Sequence, residues 1–199
     1  MSTNSYAQAI KDRIAKTKEP FILADFYDLT NRVNVRKVIT RLERSGFIGR
    51  IARGIYYKME YSNFLKEYLS PSPHLVAKAI ARNFGWNIIP EGNAGLNMLG
   101  LDTQVPAKYI FASTGGTKCF PLIGSKLKIY FKHVPEREIK NLSFKTALFV
   151  QALKAKGKLF INQDFTDRVK IAFTPQEIQK MKKEAQHTTP WIYEYISTL

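Results

Sequence analysis

The run "RVNVRKVITRLERSGFIGRIARGIYYK", Arg32 to Lys58, constrains the fold more tightly than any other stretch of the chain. Val35, Val38, Ile39 and Leu42 stand at i, i+3, i+4 and i+7, which puts them on one face of an α-helix. Asn31 is a good N-cap and Gly46 a good left-handed stop, so the spacing predicts a helix from about Arg32 to Ser45. After Gly46 the period changes. "FIGRIA" and "GIYYK" are short β-like runs separated by Arg53 and Gly54, where glycine supplies the positive φ that a tight hairpin needs.

Two further helices precede this unit. Tyr6, Ile10 and Ile14 recur every four residues and define a narrow buried stripe, and Pro20 ends any continuation. A short second helix is predicted over "LADFYDL", Leu23 to Leu29, with Phe26 and Leu29 on one face, although no Ser, Thr or Asn stands at its start. Helix, helix, helix, hairpin is the order of a winged helix-turn-helix. In that arrangement the third helix lies in the DNA major groove and the second crosses the backbone.

The charge pattern agrees with such a role. Eight Lys and Arg residues fall between Arg32 and Lys58. At about 100° per residue, the face opposite the apolar stripe carries Lys37, Thr40 and Arg44, flanked by Arg36 and Arg41. A solvated helix face normally mixes signs in i, i+4 pairs, whereas this one has only Glu43 near its edge. The expected DNA contacts are therefore Asn34, Arg36, Lys37, Thr40, Arg41 and Arg44 on the helix. Arg50 and Arg53 on the wing would meet phosphates or a minor groove.

The whole chain is basic, with 31 Lys and Arg against 16 Asp and Glu, a formal charge of +15. Up to Glu60 there are 12 basic and 6 acidic residues, and beyond it 19 and 10, so both parts attract polyanions. No apolar run approaches the roughly 18 to 20 residues of a membrane span, and the N-terminus lacks the apolar core of a secretion signal. With Cys119 as the single cysteine, no intramolecular disulfide can form. The expected setting is cytoplasmic, away from membranes.

At 199 residues the chain is expected to form two domains, residues 1–68 and 69–199, joined at the Ser- and Pro-rich "LSPSPHL". Past the joint, "HLVAKAIARNFG", "NAGLNML" and "FKTALFVQALKA" read as helices, and "KYIFAST", "CFPLIG" and "KLKIYFKH" as strands, with Gly124 and Ser125 turning the last two into a hairpin. A capped basic helix over "TPQEIQKMKKEAQ" and an apolar "PWIYEYISTL" end the chain, the latter expected to dock on the chain's own core. The fold class is thus α+β, a winged helix-turn-helix followed by a mixed α/β domain.

Nothing in the second domain composes an active site, and the chain is not expected to be an enzyme. "STGGTK", Ser113 to Lys118, lacks phosphate-loop spacing, so Gly115 and Gly116 are read as a turn. His133 has no Ser or Cys partner nearby in sequence, and Cys119 reads as a small buried thiol. His74, His133 and His187 are too scattered to suggest a metal site, and no cofactor is expected.

The helical N-terminal unit, "RLERSGFIGRIARGIYY" and the run "GLNMLGLDTQVPAKYIFAST" together resemble the AbiEi-like antitoxins of type IV toxin-antitoxin systems. Within that family the likeness is to a branch with an N-terminal winged helix-turn-helix, formerly known only as a domain of unknown function. The resemblance covers most of residues 5 to about 155, and "LGLDTQVPAK", Leu99 to Lys108, is with the wing its most specific part. It implies a DNA-binding antitoxin that represses its own operon of the abortive-infection type, a phage-defence system, and opposes a nucleotidyltransferase-like toxin. Double-stranded DNA of the operator and the neighbouring toxin are the implied partners, and a homodimer on DNA is compatible with the motif. The last forty or so residues read as an extension specific to a subgroup. The rival reading is an RNA-binding or nucleotide-handling effector whose basic C-terminal domain does the work.

Overall fold

The computed structural model describes residues 3–199. The chain is α+β and forms two compact units, Met1–Gly85 with Phe120–Lys128, and Trp86–Cys119 with Ile129–Leu199.

The first unit opens with α1 (Thr3–Lys16), whose Ile10 and Ile14 are fully buried. Only a single 3-10 turn, Leu23–Phe26, forms where the sequence suggested a helix to Leu29. Ile22 is extended and has no side chain that can cap, and the Asp25 carboxylate instead accepts the Ile22 N–H at 2.9 Å, closing the segment into a tight turn. Arg13 and Arg82 hold this turn from outside. Arg13 binds Asp28 and the Asp25 carbonyl, while Arg82 binds Asp25 and the Pro20 carbonyl.

Next comes α2 (Arg32–Arg44), with Val35, Val38 and Ile39 buried as their spacing requires. Asn31 Oδ1 accepts the Asn34 N–H at 3.0 Å to cap its start. At its end Gly46 takes φ +73°, Phe47 N–H reaches the Leu42 carbonyl and Gly46 N–H the Glu43 carbonyl, the pairing of a Schellman stop. The wing follows: β1 (Ile48–Ala52) pairs antiparallel with β2 (Ile55–Lys58) around a turn at Arg53 and Gly54, where Gly54 has φ +79°. One core of Ile10, Ile14, Phe26, Val35, Ile39, Ile48 and Tyr56 supports α1, α2 and the wing together. The N-terminal part is a winged helix-turn-helix in which a 3-10 turn replaces the middle helix.

A small hairpin, β3 (Tyr61–Ser62) with β4 (Glu67–Tyr68), precedes α3 (Pro73–Phe84). The first unit runs past the expected joint at residue 68 and includes α3. The Ser and Pro cluster supplies the N-cap Ser72 and the first-turn Pro73, so it starts a helix. Arg82 of α3 is among the residues that grip the 3-10 turn.

The second unit is built on a four-stranded sheet in the order β5–β6–β8–β7, from β5 (Ile88–Pro90), β6 (Tyr109–Ser113), β7 (Lys118–Pro121) and β8 (Lys128–His133). β5 runs antiparallel to β6, and β6 parallel to β8. Between β7 and β8, Gly124 takes φ +74° in the turn. The hairpin's outer part, Phe120–Lys128, belongs to the first unit.

Helix α4 (Gly92–Met98) packs on α5 (Phe144–Lys156) through glycine: a β-carbon at Gly92 would stand 2.6 Å from the Gln151 carbonyl oxygen. Every residue of α5 from Thr146 to Leu153 is buried, which makes it the axis of this unit. Around it pack α6 (Gln163–Ala172), α7 (Pro175–Glu184) and α8 (Pro190–Thr198), whose Phe165, Val169, Ile178, Met181, Ile192 and Ile196 join one core with Phe149 and Leu153. The capping box of α7, Thr174 with Glu177, forms as the sequence predicts, and α8 docks on the chain's own core.

A candidate nucleic-acid interface

The first unit carries 17 Lys and Arg against 7 Asp and Glu, the second 14 against 9, so the larger share of the net charge lies on the unit that holds the winged helix. Within it, α2 sorts its residues by face. Val35, Val38 and Ile39 of its apolar stripe are buried and Leu42 is half-buried, while Arg36, Lys37, Arg41 and Arg44 are exposed and Thr40 is half-buried. Among the described residues none of these four cations, nor Arg50 or Arg53, has a carboxylate within 4.0 Å. In this unit the paired cations are instead Arg13, Lys58 and Arg82, which tie the fold together. The unpaired set costs nothing in broken ion pairs when a polyanion arrives.

The wing places its two arginines differently. Arg53 is exposed beside Gly54 at the turn. Arg50 is exposed too, and its guanidinium lies 5.8 Å from the centre of the Tyr56 ring, which holds it against the sheet. Tyr56 is buried and Tyr57 half-buried, one packed and one at the surface.

Asn34 differs from the other expected contacts. It is half-buried, and its Nδ2 donates to Thr30 Oγ1 at 3.2 Å, so it finishes the helix start. Sequence reasoning also passed over Arg32, exposed at the first position of α2, and Val33, which is 62% exposed on the same outward side. It predicted α1 but not the place of its polar side beside α2: Gln8 and Lys11 line a shallow groove with Ala7, Val38, Arg41 and Leu42, and Lys11 lies over the Phe47 ring. Their adjacency to α2 follows from packing across Ile10 and Val38, which no local pattern encodes.

The second unit pairs more of its charge. Lys132, Lys140, Lys145, Lys154, Lys158, Arg168 and Lys180 all have carboxylate partners. The "STGGTK" segment is a bend whose side chains serve its own backbone. Ser113 Oγ accepts the Gly115 N–H, Thr117 Oγ1 accepts the His133 N–H, and His133 Nδ1 donates to the Gly115 carbonyl at 2.9 Å. Trp86 packs directly on Gly115, so no side chain fits there. Cys119, expected to be buried, is exposed because its strand lies at the edge of the sheet. Among the described residues no three His, Cys, Asp or Glu side chains gather where they could hold a metal, and no helix is long and apolar enough to cross a membrane.

No curated protein matches the chain. A family model does, over residues 9–185, from within α1 to the end of α7, and so through most of the stretch that the sequence set apart as an extension. By that match, which takes in both compact units, the chain belongs to the family of unknown function DUF6088.

Proposed function

We propose that this protein is a DNA-binding antitoxin that represses its own operon and opposes a neighbouring nucleotidyltransferase-like toxin, acting in the cytoplasm. The observation that carries the DNA half is the row of exposed, carboxylate-free cations on α2, held on the same core as the wing that bears Arg50 and Arg53. Arg and Lys on such a helix can donate to guanine O6 and N7 in the major groove, and the wing arginines can hold phosphate. Half of the basic side chains of the second unit are already paired, which favours this reading over an RNA-handling second unit.

The test is equilibrium binding of the full chain to a duplex from its own upstream region and to a scrambled duplex of equal length. Preference for the upstream duplex is expected, and it should vanish in a Lys37, Arg41 and Arg44 to Ala variant whose circular dichroism is unchanged. Full affinity in that variant would overturn the assignment. The antitoxin half draws its support from the resemblance of "LGLDTQVPAK". Its test is co-expression with the adjacent toxin gene under an unrelated promoter, where restored growth supports neutralisation and continued arrest leaves only repression.

A further inference from the structure

Four residues run down the centre of the outward face of α2: Val33, Lys37, Thr40 and Arg44, at i, i+4, i+7 and i+11. At 100° per residue they fall within about 60° of one another, directly opposite the buried stripe. Two cations therefore alternate with two methyl-bearing side chains. Val33 is the unexpected member. It is 62% exposed, it is absent from the core that holds Val35, Val38 and Ile39, and the helix start is capped by Asn31 without it. On an exposed helix position a β-branched residue is a poorer choice than Ala, Glu or Lys. Fold stability gives no reason for it.

The major groove does. Thymine alone presents a methyl group there, and an apolar side chain is its natural partner. Recognition helices bring their N-terminal residues to the base edges, and Val33 is the second residue of α2. We propose that Val33 reads the 5-methyl group of a thymine in the bound DNA, an inference that rests on the reading of α2 as the helix that enters the groove. Lys37 stands one turn further along, about 6 Å at 1.5 Å per residue. The thymine therefore lies within about two base pairs of the pair that Lys37 contacts, at roughly 3.4 Å per step.

The experiment uses the full chain and a footprinted duplex from its own upstream region, with each thymine replaced singly by deoxyuridine. Loss of the one methyl that Val33 touches is expected to weaken wild-type binding about three- to fourfold, the size of one buried methyl contact. Val33→Ser should bind the thymine and uracil duplexes equally, and Val33→Ile should keep the discrimination. If the upstream duplex is bound selectively but no thymine is sensitive, or if Val33→Ser keeps the full preference, the inference is wrong and the DNA reading stands. If wild type does not distinguish the upstream duplex from a scrambled one, the DNA reading fails and this inference fails with it.

Discussion

The main chains of Phe21 and Tyr56 exchange two hydrogen bonds, Phe21 N–H to the Tyr56 carbonyl at 2.8 Å and Tyr56 N–H to the Phe21 carbonyl at 3.0 Å. Their rings stack with centroids 6.2 Å apart. The segment that leads into the 3-10 turn is thereby fastened to the wing as a one-residue third strand. Tyr56→Ala removes the stacked ring and the support beneath Arg50, and is expected to cost about 3–5 kcal/mol in chemical denaturation. A loss under 1 kcal/mol would mean that the wing is held by its backbone alone.

On the proposed DNA reading, Arg53 should act on affinity more than on sequence choice, because an exposed side chain at the tight turn of the wing would meet backbone charge. Arg53→Ala is expected to weaken binding to upstream and random duplexes alike, and to lower the slope of log K against log salt by about one phosphate's worth. Titrations at several salt concentrations measure this. A loss confined to one base position would make Arg53 a base reader.

Gly92→Ala should destabilise the second unit although alanine is the better helix former. A β-carbon there meets the Gln151 carbonyl oxygen and Ala155, and α4 can accommodate it only by moving away from the fully buried α5. The expected cost is about 1–3 kcal/mol, read as a lower denaturation midpoint.

Glu138 is 2% exposed, and both its oxygens are engaged by Lys154, at 2.7 and 2.9 Å, with Gln151 and Thr189 completing the set. Lys154→Ala strands a buried carboxylate. The loss should be about 2–3 kcal/mol, less than for a fully buried pair because the Lys154 side chain keeps 37% of its exposure. Adding Glu138→Gln should recover part of it.

Glu184 contributes to the acid limb of stability. Burial pushes its pKa up, but hydrogen bonds from Thr146 and Ser143, with the charge of Lys180, outweigh that and hold it below 4.5. A depressed carboxylate stabilises fully above its unfolded value and loses that contribution as pH falls through the folded one. Glu184→Gln should therefore be less stable than wild type at neutral pH, with the difference shrinking below about pH 4.5. Thermal melts across that range provide the measurement. A difference that is constant with pH would show that the carboxylate's charge plays no part.

The legible parts of the sequence were those where one local pattern decides the structure. Val35, Val38 and Ile39 marked a helix because nothing else satisfies their spacing, and Gly46 and Gly54 marked turns that only positive φ can make. The outward cations of α2 followed from the same periodicity. Hidden features depended on distant chain. Phe21 becomes a strand only by meeting Tyr56, and Lys11 joins the flank of α2 only through packing. Helix α6 escaped notice because its buried face is just Phe165 and Val169, while Leu159, Phe160 and Ile171 around it are exposed and disguise the period. Val33 was passed over because an apolar residue near a helix start looks like core until its exposure is known.

The chain passes through the first unit, enters the second at Trp86, returns for Phe120–Lys128 and leaves again. Neither unit is a continuous length of gene. A single crossover between two relatives can therefore never leave both units whole, since a cut after Gly85 joins one parent's residues 120–128 to the other's winged helix and a cut after Lys128 divides the second unit. In a chain built on this plan, substitution on the existing frame is the simpler route to change, because exchanging one unit whole would take more than one join. On the proposed DNA reading, a change in the sequence recognised would then arise most simply in place, through residues such as Val33 and Lys37.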